Sequence, residues 1–436
     1  MQGSPWPSKV GAALVIAALI GVRGGARVAA VPPQPAVITF NEVAPIIYTR
    51  CSSCHRPGQP APFSLLTYDD VKLRAERIAV VTKLHAMPPW PPEPGFGEFA
   101  NPRRLSDEEI DLLQRWVADG APQGDRAALP KPPAWTDDWQ LGQPDLVLEL
   151  PQPYTLPAAH GDVFRSFVIP IPVASRRYVS GVEFRPSNPR VVHHTVMRFD
   201  RTGAARRLDD DDPEPGYDGM LSTADESPPG RFLGWTPGKT PTFEREGMAW
   251  PLEPHTDAVI NAHLMPTGTP EVVQFQIGLF FTDARPVADP VMLRLGSELI
   301  DIAPGQKEYP VNSRYMLPVD VDVLSVYPHA HYLARDMKAF AILPDGTLRW
   351  LIWIKDGNFN WQDVYVYERP IHLPRGTLLS MRYTYDNSAD NSRNPNRPPR
   401  RVVYGPRSSD EMADLWLQVV PRNAADGAVL ERDRLR

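Results

Sequence analysis

Proline sets the tightest limit on what this chain can fold into. It fills 51 of 436 positions. Each one fixes φ and removes a backbone donor, which ends helices and interrupts central strands. Helical periodicity is confined to the stretch between residues 31 and 143. Beyond it, short strands and turns must carry the fold. The length exceeds one ordinary core, so roughly two to four domains are expected. A formal charge of −6 argues against a nucleic-acid surface.

Residues 1–30 read as an export signal. Lys9 precedes the apolar run Val10 to Val22, and small residues lead to Val28-Ala29-Ala30. A retained anchor is the alternative, but the run is short for a span and Arg23 interrupts its end. The expected location is outside the cytoplasm, in the periplasm.

The segment 36–127 reads as a small all-α domain. Phe40, Val43, Ile46 and Ile47 repeat at helical spacing. Thr67 can cap a second helix carrying Val71, Ala75, Ile78 and Val81. Ser106 and Glu109 form a capping box ahead of Ile110, Leu113 and Trp116. Between the first two helices stands Cys51-Ser-Ser-Cys54-His55, which contains both cysteines of the chain. In an exported protein this spacing suits covalent haem attachment, with thioethers from Cys51 and Cys54 and His55 beneath the iron. A redox disulfide would normally sit beside a βαβ pattern, and a zinc site would need more ligands nearby. Met87 is the candidate sixth ligand and His85 its rival, both near Pro88 and Pro89. The run Cys-x-x-Cys-His-Arg-Pro-Gly, then Ala-Pro-Phe-Ser-Leu-Leu-Thr-Tyr and Met-Pro-Pro-Trp, resembles cytochrome c, which implies electron transfer.

Residues 128–143 read as a stiff, Pro-rich linker. After it come alternating strands such as Phe164–Ile171, Tyr178–Phe184, Val272–Phe281, Met337–Leu343 and Leu378–Tyr385. The acidic run Asp209–Asp212 reads as a solvated loop, with a calcium site as the lesser alternative. His193 and His194 are adjacent, so a regular strand would send them to opposite faces, and they can share a metal only if the strand is distorted. His263 precedes a Pro-Thr-Gly turn. His329 and His331, at i and i+2, share a face and can chelate one ion, although an exposed edge pair is the plain alternative.

The ordered set of His193-His194, His263, His329-x-His331 and Asp410-Glu411-Met412 resembles the copper type II, ascorbate-dependent monooxygenases, the family of peptidylglycine hydroxylating and dopamine β-monooxygenases. The resemblance spans residues 144–425. It implies two antiparallel, jelly-roll-like β-sandwich domains, 144–305 and 306–425, with one copper on His193, His194 and His263. A second, oxygen-activating copper would sit on His329, His331 and Met412. A thioether favours Cu(I), so the chemistry agrees. His160, His255 and His372 are not expected to be ligands. The animal enzymes carry disulfides and use ascorbate; this chain has no cysteine after Cys54, and its haem segment offers another electron route. The expected whole is an all-α cytochrome c domain followed by two copper-binding β-sandwiches. Its expected partners are dioxygen, a small substrate and an external electron donor, either a redox protein or an ascorbate-like reductant. The non-catalytic alternative is an electron-transfer or copper-binding protein.

Overall fold

The computed structural model describes residues 37–134, 138–158, 161–219 and 225–433. The expected signal 1–30 and His160 lie outside the described residues. Among the described residues, no helix is long and apolar enough to cross a membrane.

The helix Phe40–Ile46 starts where the Thr39 N–H donates to Glu42 Oε2 at 2.7 Å. Pro45 sits in its last turn, and the backbone then widens into a π turn, Ile47–Cys51. The second expected helix is two, Tyr68–Lys72 and Ala75–Lys83. The Arg74 guanidinium takes the Asp70 carbonyl oxygen at 3.0 Å, the acceptor that a continuous helix would give to the Arg74 N–H. That N–H bonds Val71 O instead. The Ser106–Glu109 box opens Asp107–Ala118, with reciprocal bonds of 3.1 and 2.8 Å. These elements share an apolar cluster that includes Phe40, Ile47, Leu65, Val71, Leu113 and Trp116.

Two pairs of antiparallel sheets follow. In the first pair, one sheet runs Leu146–Glu149, Phe275–Thr282, Arg177–Pro186, Trp250–Leu252. Its partner runs Tyr217–Asp218, Val163–Pro170, Asp257–Leu264, Val192–Asp200, Leu233–Trp235. Phe167 and Ile260 from one sheet meet Phe275 and Ile277 from the other in a common core. In the second pair, one sheet runs Val291–Gly296, Ala413–Pro421, Val321–Ala330, Tyr365–Leu373. The other runs Tyr309–Met316, Leu378–Tyr385, Ala334–Ile342, Leu348–Ile354. Leu293, Val326 and Leu417 face Leu379, Met381 and Tyr383 in its core. The strand Val291–Gly296 already pairs with Ala413–Pro421, so the second set begins ahead of the Pro304-Gly305 turn.

The expectation of an all-α cytochrome c domain standing before the β region is corrected. The described residues hold more sheet than helix, 35% strand against 15% helix, and no all-α cytochrome domain is seen among them. Residues 38–436 form one compact unit. The reason lies in the proline-rich stretch between the last two helices, whose aromatics are buried by the distant β core. Pro92 bridges to Ile354 and Phe99 to Tyr367. Phe99 stacks on Tyr367 with ring centroids 5.2 Å apart, and Trp90 packs against Tyr365 at 5.3 Å. The acidic run is also corrected: Asp209–Asp211 end a short helix, Ala204–Asp211. Asp209 accepts the Gly216 N–H at 2.7 Å, and Asp212 pairs with the buried Arg165 at 2.8 Å.

Phe99 is only 8% exposed and is the main apolar tie between this stretch and the second core. Phe99→Ala should cost about 3–5 kcal/mol of unfolding free energy, measured by urea denaturation. It should also open residues 88–105 to limited proteolysis before the rest of the chain.

Candidate metal centre

The first histidine group depends on an irregularity in one strand. Val192–Asp200 pairs with Asp257–Leu264, and the register slips between Val192 and His194. The extra residue is His193. A bulge of this kind re-aims a side chain that a regular pleat would send to the other face. His194 then lies directly opposite His263. On its other side His263 faces Phe164 across the strand Val163–Pro170, with the two rings stacked at 4.4 Å.

The ligand atoms of His193, His194 and His263 all lie within 4.8 Å of one another. The Nδ1 atoms of His193 and His194 are 3.0 Å apart, close to the separation of imidazoles that bind one first-row ion at about 2.0–2.1 Å. His263 is fully buried, yet neither ring nitrogen has a hydrogen-bond partner. Asp162 Oδ1 stands 3.4 Å from its Nε2, outside hydrogen-bond geometry. An unsatisfied buried imidazole is costly unless something else takes its lone pair. Burial, followed by repulsion from His263, pushes His193 down to about 4 and His194 well below its usual range. Both rings are therefore neutral at pH 7, the form that ligates metal.

The second group sits where two strands of the other sheet pair end. His329 lies opposite Asp414, and Ala330 opposite Ala413. His331 follows the first strand and Met412 precedes the second. The His329 and His331 rings are 5.3 Å apart. The His331 Nδ1–H donates to Asp410 O at 3.0 Å, which leaves Nε2 with its lone pair free. Burial pushes His329 down to about 4 and His331 to about 3.

Glu411 holds this corner together. It is 0% exposed, and its carboxylate accepts the backbone N–H groups of His331 at 2.9 Å, Leu333 at 2.7 Å and Met412 at 3.2 Å. Burial without a cationic partner pushes it up to about 8, against the pull of those three donors. Tyr385 Oη–H donates to Met412 O at 2.7 Å and fixes the same residue from behind.

One cleft of about 1520 Å³ is lined by His194 of the first group and by His329, His331 and Met412 of the second, together with Phe164 and Phe359. Phe359 stands between them, 5.0 Å from the His193 ring, 6.0 Å from His263 and 5.2 Å from His331. The three-imidazole set fits a metal ion by donor type, spacing and its orphaned nitrogens. The second set supplies two neutral imidazoles and a thioether at the same cleft. His255 is exposed with φ 59°, His85 is exposed with φ 52°, and His372 pairs with Asp322 at 3.3 Å. None of these three lines the cleft.

At the haem motif, Cys51 closes the π turn, and both cysteines are unpaired. Burial pushes the Cys51 thiol up to about 12. The His55 Nδ1–H donates to Phe63 O at 3.3 Å, which leaves Nε2 with its lone pair free. Two unpaired thiols and this imidazole are the donor types a covalent haem would use. Met87 lies half-buried after the helix Ala75–Lys83, with its N–H on Val81 O at 3.2 Å.

Sequence reasoning passed over Phe359, Asn360, Gln362 and Glu411. Only Glu411 lay inside a noticed motif, and there Met412 took the attention.

No protein-family model matches the chain, and no curated protein matches it. Among solved structures it is similar to the major capsid protein P2 of bacteriophage PM2. The identity is 10% and the TM-score 0.24, over 64% of this chain and 99% of that one. It is also similar to VP2 of the infectious bursal disease virus subviral particle, with 10% identity and TM-score 0.19 over 70% and 77% of the two chains. Likenesses at these scores carry no conclusion about this chain.

Glu411→Ala strands three buried backbone donors and should lower unfolding free energy by about 3 kcal/mol or more. Glu411→Gln should recover part of it, because the amide keeps one oxygen that can accept these N–H groups. Chemical denaturation of the metal-free protein measures both.

Proposed function

We propose that this chain is an exported, haem- and copper-dependent monooxygenase. It would hydroxylate a C–H bond of a small organic substrate with dioxygen. Electrons would enter through the haem-binding segment from an external donor, a redox protein or an ascorbate-like reductant. The observation that carries this reading is a cluster of three imidazoles, one of which, His194, lines the same cleft as His329, His331 and Met412. His193, His194 and His263 would hold one copper ion, and His329, His331 and Met412 the other. Bound copper would supply one-electron chemistry towards dioxygen, with the thioether favouring Cu(I) at the second set.

The chain's own contribution is to hold the donors and shape the cleft. The strand bulge and Glu411 set the positions of the ligands without help from a disulfide. Phe164 and Phe359 limit water beside the imidazoles. The cations on the wall are already matched: Arg231 with Glu244 at 3.0 Å, Arg294 with Asp414 at 2.7 Å, Arg198 with Asp225 at 3.4 Å and Arg422 with Asp322 at 3.6 Å. A substrate of little net charge therefore loses least on entering.

Metal analysis of the exported protein tests the reading. One haem and about two coppers per chain are expected, with Met412→Ala and His263→Ala each losing or weakening one copper. Oxygen uptake with a one-electron reductant should need both sites. One haem and no copper after reconstitution would overturn the proposal and leave an electron-transfer protein.

A further inference from the structure

Residues 355–364 join the strands Leu348–Ile354 and Tyr365–Leu373, and they touch both histidine groups. Phe359 separates the two histidine groups, as described above. Asn360 Oδ1 is 3.3 Å from His193 Nε2. The Gln362 Oε1 accepts the Ala330 N–H at 3.3 Å, one peptide bond beyond His329. Asp363, the next residue, pairs with Arg103 at 3.1 Å.

Arg103 leads to the haem motif. Its second guanidinium nitrogen donates to Gly238 O at 3.3 Å. The Gly238 backbone lies directly against Cys54. A Cβ added there would stand 2.8 Å from the Cys54 sulfur, and φ is +80°. Glycine is what lets the chain approach the sulfur so closely. A continuous chain of contacts therefore runs from Cys54 to Gly238, Arg103, Asp363, Gln362 and the Ala330 N–H, which the backbone joins to His329. Its non-covalent links past Gly238 are hydrogen bonds or an ion pair, and the steps from Asp363 to Gln362 and from Ala330 to His329 are covalent. Electronic coupling falls steeply across empty gaps and more slowly along bonds and hydrogen bonds. The branch through Asn360 to His193 adds two more residues of backbone.

We infer that this chain of contacts is the electron-entry route, running from the haem edge at Cys54 through Arg103, Asp363 and Gln362 to His329. The inference rests on the copper reading above and adds a path to it. With both groups bound, the haem would be oxidised by one electron and the copper reduced by one. No bond forms and no proton moves. The external one-electron donor then restores the reduced haem. Arg103, Asp363 and Gln362 act as positioning residues, since none is required as a ligand.

The test uses the full chain carrying haem and copper, without oxygen. The haem is reduced in a flash or mixing experiment, and its re-oxidation by bound Cu(II) is followed by absorbance. Asp363→Ala and Gln362→Leu should each slow re-oxidation by about tenfold, within what one link of a packed network can change. Lys355→Ala, on the same loop but paired outward with Glu93, should not slow it. Haem spectrum, haem midpoint potential, copper content and the copper EPR spectrum should stay as in wild type, which a merely structural role would not preserve alongside a slower rate. Unchanged rates in both variants, with copper retained, would overturn the route alone. A wild-type chain that takes up haem but no copper would overturn the route and the copper reading together.

Discussion

One extra residue in one strand decides whether three imidazoles of this protein come together. On an unbroken pleat His193 would face away from His194, and His263 would meet one imidazole instead of two. The slip between Val192 and His194 turns both rings to the same side, opposite His263. The neighbouring strands are regular, so the cost of the bulge stays local, while its consequence reaches the whole cleft. A buried imidazole with two unmet nitrogens is tolerable only in such an arrangement, where a ligand can complete it.

The second group is held by a different device. Two strands end side by side and need something to satisfy their last backbone donors. A buried carboxylate does this without exposing the corner to water. Glu411 thereby couples the position of His331 to that of Met412, although the two are far apart in sequence. Phe359 gives both groups a common wall. The two donor sets are thus built by separate sheet pairs but share one loop, and Ser408 reaches across to Asp162 beside His263.

What could be read from the sequence was local. The Ser106–Glu109 box, the Thr67 cap and the alternation of strands such as Leu378–Tyr385 depend on near neighbours and stand where expected. The adjacency of His193 and His194 posed the right question, whether the strand is distorted there, but could not answer it. The free-standing all-α domain failed because Trp90 and Phe99 find their partners more than 250 residues away, as in the Phe99–Tyr367 stack. Asp209–Asp211 look solvated because charge hides a short helix that Arg165 anchors from another strand. The role of Glu411 is invisible in one dimension, because burial of an acid is a property of the folded chain.

The close approach of Gly238 to Cys54 bears on the order in which the protein is made. Once residues 232–240 have settled, the Cys54 sulfur is backed by chain. Under the proposed reading, an attachment enzyme must therefore act while the β region is still absent or open. Cys51 and Cys54 stand near the beginning of the chain, so during export they emerge well before Gly238. The linear order of the sequence provides the interval in which maturation has to happen, and a chain whose β region closed first would be locked out of it.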